Sequence, residues 1–379
     1  MTAPRVLIVS RKFWPVVDDD STALLLWAGA LARRGCAMTV VTPRWHSSWP
    51  NKSECREVKI QRILPAPTSS WYSTHYVRNL ARWVTQNLSS WDCIYVDEPG
   101  PDLFQICNRR VCGNIPVYGR IASGPSQADA SMSQVAIDAA RKLNAVIVPD
   151  ARSNRALSAA GISPSKIVRI ADASLNPLHR QDRMKLDARA ALAKLSGDFI
   201  LPFDTKLIVS LGEISQESGS DQLGLAAMSL LERDQRIRVW IAGPDREARF
   251  LYSKLRDRSW HADIMLFGAF DDVDELVAAA DLVVFPKLIG RARFLLPHVI
   301  ASGVAWIAPS DDEWKTRLGT SSNLLMWNGD QNGMVHKLEE WLLKPQEFET
   351  AAGLLADSFL RANPAEVILD DWINLFSRT

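Results

Sequence analysis

Short β-branched and apolar runs alternate with longer stretches of helical period along almost the whole chain, and this alternation limits the possible folds more than any other feature. The first instance is Val6 to Val9, then a helical pattern from Thr22 to Arg34 closed by Gly35, then Met38 to Val41. A strand, a capped helix and a second strand in so short a span form a βαβ unit with a right-handed crossover. Cys93 to Val96, Val117 to Ile121 and Ala145 to Val148 continue the series. Each is nearly all apolar, as strands covered on both faces must be, so a parallel sheet between helical layers is expected.

A second series begins after a more polar stretch. Strands are expected at Lys206 to Leu211, Arg238 to Ala242, Ile264 to Phe267, Leu282 to Phe285 and Trp306 to Ala308. Helices are expected between them at Asp221 to Arg233, Glu247 to Asp257, Val273 to Ala279 and Leu295 to Ser302. At 379 residues and 47% apolar content the chain exceeds one core and can build two. The expected organisation is a Rossmann-like domain at 1–176, a connection at 177–202 with a short helix from Ala188 to Leu195, and a second Rossmann-like domain at 203–361. A helix from Pro364 to Phe376, within 362–379, packs back on the first domain. Such sheets place ligands at the carboxyl ends of their strands, here facing a central cleft.

Composition removes several function classes. Lys plus Arg is 44 against 43 for Asp plus Glu, so there is no overall basic field to collect nucleic acid or anionic lipid. The five cysteines, Cys36, Cys55, Cys93, Cys107 and Cys112, show no zinc spacing and read as buried free thiols. Their odd number, and a strand that starts almost at Met1, point to a cytoplasmic location. No apolar run reaches the ~18 residues a membrane span needs. Trp45, Trp49, Trp71, Trp83 and Trp91 crowd the stretch before Cys93. They either pack a long connection or face an acceptor or a membrane surface. No nucleophile and base pair, metal cluster or P-loop is present.

The second half carries five punctuating motifs in order. These are Leu211-Gly212, Ile241-Ala242-Gly243, the stretch Phe267 to Asp272, Ala278-Ala279-Ala280-Asp281 running to Pro286, and Ala301-Ser302-Gly303. With Phe13-Trp14-Pro15 and Ala32 to Gly35 in the first half, the chain resembles the retaining GT-B glycosyltransferases of the group-one (family four) class over nearly its whole length. The resemblance implies an α/β GT-B architecture and transfer of a sugar, with retention, from a nucleotide-sugar donor to a saccharide or lipid-linked acceptor. It implies no metal and no cofactor, because that class neutralises its diphosphate leaving group with protein cations and backbone N–H groups.

Most positions that do this work in the class are altered here. The phosphate-side glycine pair falls on Asp18 and Asp19, within Asp18-Asp19-Asp20. The G-R-x-x-x-x-K-G turn reads Gly212 to Gly219, with Glu213 on the arginine and Ser218 on the lysine. Two donor-reading glutamates fall on Gly290 and His298, and a first-domain histidine falls near Ala122. Lys287, Arg291 and Arg293 cluster in the loop before the Leu295 helix, either as a solvated basic loop or as a replacement anion site. As exposed loop arginines, Arg291 and Arg293 are expected to contribute little to folding. Donor-side candidates are therefore Arg291, Arg293, Lys287, His298, Phe270, Gly212, Glu213 and Ser218. His298 is either a ribose-hydroxyl partner or a plain helix-face histidine.

Asp97 with Glu98, and Arg120, end first-domain strands and are candidate acceptor or cleft residues together with Asp18 and Asp19. Strand-end acids also simply cap the next turn, Arg120 equally reads as a salt bridge, and the aspartate run reads as a helix N-cap with Ser21, a solvated loop or an acceptor edge. The alternative to an enzyme is a catalytically inactive GT-B partner or carbohydrate-binding subunit, and nucleotide binding separates the two.

Overall fold

The all-apolar runs do form the centres of two sheets. The computed structural model describes residues 3–97, 105–122, 134–172, 174–175, 184–244, 249, 251–253, 263–270, 272–289, 291–328 and 331–378. It divides the chain into two compact units. One comprises Met1–Val16, Ser21–Asp172 and Glu366–Thr379; the other comprises Val17–Asp20 and Ala173–Ala365.

The first unit holds β1 (Arg5–Val9), β2 (Ala37–Pro43), β3 (Lys52–Cys55), β4 (Val58–Ile63), β5 (Cys93–Asp97), β6 (Val117–Arg120), β7 (Ala145–Val148) and β8 (Ile167–Arg169). Their order across the sheet is β3-β4-β2-β1-β5-β6-β7-β8, parallel except for the β3–β4 pair. The helix expected from Thr22 starts earlier and runs Asp19–Arg33. The tryptophan-rich stretch contains the β3–β4 hairpin and a helix, Ser70–Gln86, whose Ser69 side chain accepts from the Tyr72 N–H. Trp83 and Trp91 pack against the core, while Trp71 is 69% exposed. From Glu366 onward the helix Ala365–Phe376 adds to this unit, setting Trp372 edge-on to Trp27 at 4.7 Å and to Tyr95 at 5.4 Å. Arg34 pairs with Glu366 and Asp370 beside it. The five cysteines are free, and burial pushes the Cys107 thiol up to about 12.

The second unit is built on six parallel strands ordered β11-β10-β9-β12-β13-β14. They are β9 (Lys206–Leu211), β10 (Ile237–Ala242), β11 (Ile264–Phe267), β12 (Leu282–Val284), β13 (Trp306–Pro309) and β14 (Met326–Trp327). The Lys185–Leu195 helix, read from sequence as part of a connection, belongs to this unit. Its Arg189 is buried and reaches Asp281 at 2.6 Å, and Lys185 reaches the same carboxylate at 2.5 Å. Asp281 also accepts from the Leu207 N–H at 2.7 Å. The acid after the three alanines thus ties β9, β12 and this helix together, with its charge balanced by two cations. The helix expected at Glu247 to Asp257 lies largely outside the described residues, as do Glu98 and Gly290.

In each sheet the order reverses beside a central strand, between β1 and β5 in the first and between β9 and β12 in the second. Loops leaving the carboxyl ends of those strands are where open α/β sheets hold ligands.

Candidate functional site

At the second reversal, β9 ends in Leu211 and the chain turns through Gly212 at φ +111. Only glycine adopts that backbone without strain, and a Cβ there would lie 2.6 Å from the Arg291 Nε. A Cβ on Gly243, at the end of neighbouring β10, would meet the Gly212 carbonyl oxygen at 1.9 Å. The two motif glycines therefore let two main-chain segments and a guanidinium share one small space.

Arg291 fills that space. It is fully buried, donating from Nε to the Leu211 carbonyl at 2.6 Å and from Nη1 to the carbonyls of Ser218 at 2.6 Å and Lys287 at 3.0 Å. Its Nη2 is buried with no hydrogen-bond partner among the described residues. Burial lowers its pKa to about 10, and the charges of Asp19 and Glu213 pull it back up. The expectation of an exposed loop arginine is thus corrected: Arg291 staples the turn after β9 to the loop after β12. Arg293 is also largely enclosed, its side chain 9% exposed and its Nη1 3.5 Å from Asp20.

Ser218, at the expected lysine position, turns into its own loop. Its hydroxyl donates to the Glu213 carbonyl at 2.5 Å and accepts from the Ser215 N–H at 3.2 Å, with the Ser220 hydroxyl 2.9 Å away. Glu213 is half-buried, and Lys287 donates to the Gln216 carbonyl at 3.1 Å. The cationic side chain at this turn therefore comes from the other loop, through Arg291.

The Leu295–Ser302 helix begins at this loop, and Phe294 at its N-cap offers no side-chain cap. The cap is Asp19. Its Oδ2 accepts from the Arg293 N–H at 3.0 Å, and its Oδ1 from the Phe294 and Leu295 N–H groups at 3.0 and 2.7 Å. Capping was one reading of the aspartate run, but the helix capped is one in distant sequence. Burial pushes the Asp19 carboxyl up to about 7; the charge of Asp20 adds to this, and the three N–H donors oppose it.

One turn further, His298 is buried, with Nε2 2.7 Å from Asp274 Oδ1 and Nδ1 3.4 Å from the Ser174 hydroxyl. Its ring packs on Phe294 at 4.9 Å. Sequence reading singled out the histidine but neither partner, which nothing in their local patterns marks. Phe270 lies apart from this cluster, packed on Phe267 at 5.8 Å and Phe199 at 6.0 Å.

In the first unit, Asp97 and Arg120 end β5 and β6 as paired neighbours in register. Asp97 is buried and accepts from the Tyr95 hydroxyl at 2.9 Å. Arg120 forks onto Asp172, with Nε 3.2 Å from Oδ1 and Nη2 on Oδ2. Ala122 is exposed and Asp18 half-buried. Among the described residues no group of three or more His, Cys, Asp or Glu is placed to hold a metal ion. No helix among them is long and apolar enough to cross a membrane.

Two Rossmann-like units with these strand orders make the α/β GT-B fold of glycosyltransferases. A sucrose-phosphate synthase from Thermosynechococcus elongatus superposes with a TM-score of 0.77 at 15% identity, covering 98% of each chain. Anabaena HepE in complex with UDP and glucose gives 0.74 at 14% identity, over 99% of this chain and 100% of that one. The catalytic domain of starch synthase IV from Arabidopsis thaliana, bound to ADP and acarbose, gives 0.73 at 13% identity over 99% of both. No protein-family model and no curated protein sequence matches the chain.

Proposed function

We propose that this chain is a retaining glycosyltransferase of the group-one kind with an altered donor site. It moves a sugar from a nucleotide-sugar donor to a saccharide or lipid-linked acceptor in the cytoplasm. The observation that carries this reading is Arg291. The turn that would supply two cations bears Glu213 and Ser218, yet a guanidinium is buried in that same turn with one nitrogen left over. A cation held there by main-chain carbonyls is preorganised for the charge that grows on a departing diphosphate, which is where electrostatic catalysis acts. HepE and starch synthase IV, which share the fold, are described with UDP and with ADP respectively. His298, held by Asp274, is then a donor-side hydrogen-bonding group rather than a nucleophile.

No metal enters this scheme, so turnover is expected to survive exhaustive chelation; activity that is lost with EDTA and returns with a divalent ion overturns that part. The primary test is calorimetric titration of the native protein with uridine, guanosine and adenosine diphosphates. One of the three is expected to bind. Absence of heat with all of them removes the enzyme reading and leaves the inactive partner or carbohydrate-binding subunit. For an active donor and acceptor pair, the anomeric configuration of the product, read by NMR, decides between retention and inversion.

A further inference from the structure

A helix N-terminus with no cap of its own, a buried cation with an unused donor and a buried carboxylate meet in the second unit. The carboxylate is what needs explaining. Asp19 groups with this unit although the helix it begins continues into the other. It spreads its two oxygens over three consecutive N–H groups, those of Arg293, Phe294 and Leu295. Two oxygens on successive N–H groups at a helix start is the way a phosphate is held. Next to it stands Arg291, close enough that the Asp19 charge opposes the effect of burial on the guanidinium. Arg291 Nη2 is buried and unpartnered among the described residues.

We propose that Asp19 is a resident anion in a phosphate-binding pocket formed by the Arg293, Phe294 and Leu295 N–H groups with Arg291, and that a diphosphate binds there only by displacing this carboxylate. The resting site is closed by its own chain, and Asp19 lowers the affinity for every phosphate ligand alike. A diphosphate carries more charge and more acceptor oxygens than one carboxylate, so it can satisfy the three N–H groups and still offer oxygens to a neighbouring cation. The displaced carboxylate leaves a buried position beside Asp20 for water, which offsets part of the exchange. The inference rests on the glycosyltransferase reading only for what the diphosphate is attached to, so inorganic pyrophosphate is the probe that tests it separately.

The experiment is calorimetric titration of inorganic pyrophosphate into the full chain and into Asp19→Ala and Asp19→Asn, after circular dichroism shows that each variant is folded. Asp19→Ala is expected to bind at least about tenfold more tightly than the native protein, with Asp19→Asn in between because its amide oxygen still caps the helix. Equal affinity in all three, weaker binding in the variants, or no binding by any of them overturns the proposal. If Asp19→Ala does not fold, Asp19→Asn carries the comparison. The native protein supplies an independent readout: its Arg293, Phe294 and Leu295 amide resonances must move at saturating pyrophosphate, and their failure to move overturns it as well. Tight pyrophosphate binding by Asp19→Ala with no gain from any attached nucleoside keeps this inference and removes the nucleotide-sugar reading.

Discussion

Both units hold buried or nearly buried charged groups, but they satisfy those charges in opposite ways. In the first unit Arg120 forks onto the Asp172 side chain, and Asp97 accepts from the Tyr95 hydroxyl. In the second, Arg291 gives three hydrogen bonds to main-chain carbonyls, and Asp19 accepts three from main-chain N–H groups. A side-chain partner can be deleted together with its mate. Main-chain partners stay in place whatever is substituted, so the charge that satisfies them fixes the path of the backbone. The turn after β9 and the loop after β12 are in this sense held in shape by a buried guanidinium and a buried carboxyl group.

The sharpest way to break that contrast is Arg291→Ala. Three carbonyls lose a charged donor inside a buried site, and a destabilisation of about 3 kcal/mol or more is expected, read as a lower urea midpoint. A midpoint within error of the native one would show that the arginine is dispensable to the turn. Arg291→Lys should recover only part, since a single ammonium cannot reproduce the fork.

Gly212→Ala approaches the same interaction from the other side. A methyl 2.6 Å from Nε at a φ of +111 is expected to lower stability by about 1–3 kcal/mol. Combined with Arg291→Ala, the steric part of that loss should disappear; strict additivity of the two would deny that they share the space.

For Arg120 and Asp172, either alanine substitution is expected to cost about 1–2 kcal/mol, with the double substitution costing less than the sum. A double substitution as costly as the two singles added together would mean that this pair is not the unit that matters.

A separate expectation concerns pH dependence. Asp19 has a folded pKa of about 7, raised above the ~3.9 of an unfolded aspartate. Between those values the folded state binds the proton more, so its contribution to stability is full below about pH 4 and is lost as pH rises to about 7. Asp19→Asn should remove that slope from the denaturation profile, and an unchanged slope would place the titration elsewhere.

What was legible in the sequence follows from how far each interaction reaches. Val6 to Val9 or Ala145 to Val148 show as strands because burial on both faces leaves only apolar residues. Lys52–Cys55 did not, because an edge strand with half its residues in solvent is polar and short. The glycines and Asp281 were visible as motifs, since backbone approach and buried ion pairing restrict residue type at fixed places. The cluster of Lys287, Arg291 and Arg293 was visible, but the burial of Arg291 was not. Spacing within a loop says nothing about a carbonyl contributed by Leu211 or Ser218. The cap made by Asp19 was least legible, since its donors lie 274 to 276 positions away.

The first unit is not one stretch of chain: its sheet comes from the segments before Asp172, while Trp372 and Phe376 close over Trp27 and Tyr95 from Glu366–Thr379. During synthesis that sheet leaves the ribosome long before its aromatic lid, and the whole of the Ala173–Ala365 segment is made in between. Domains usually fold in the order they emerge, but here the earlier one is expected to stay open until the later one has been produced. An arrest inserted just after Ala365 should therefore leave a nascent chain whose second unit resists protease while Trp27 and Tyr95 remain exposed.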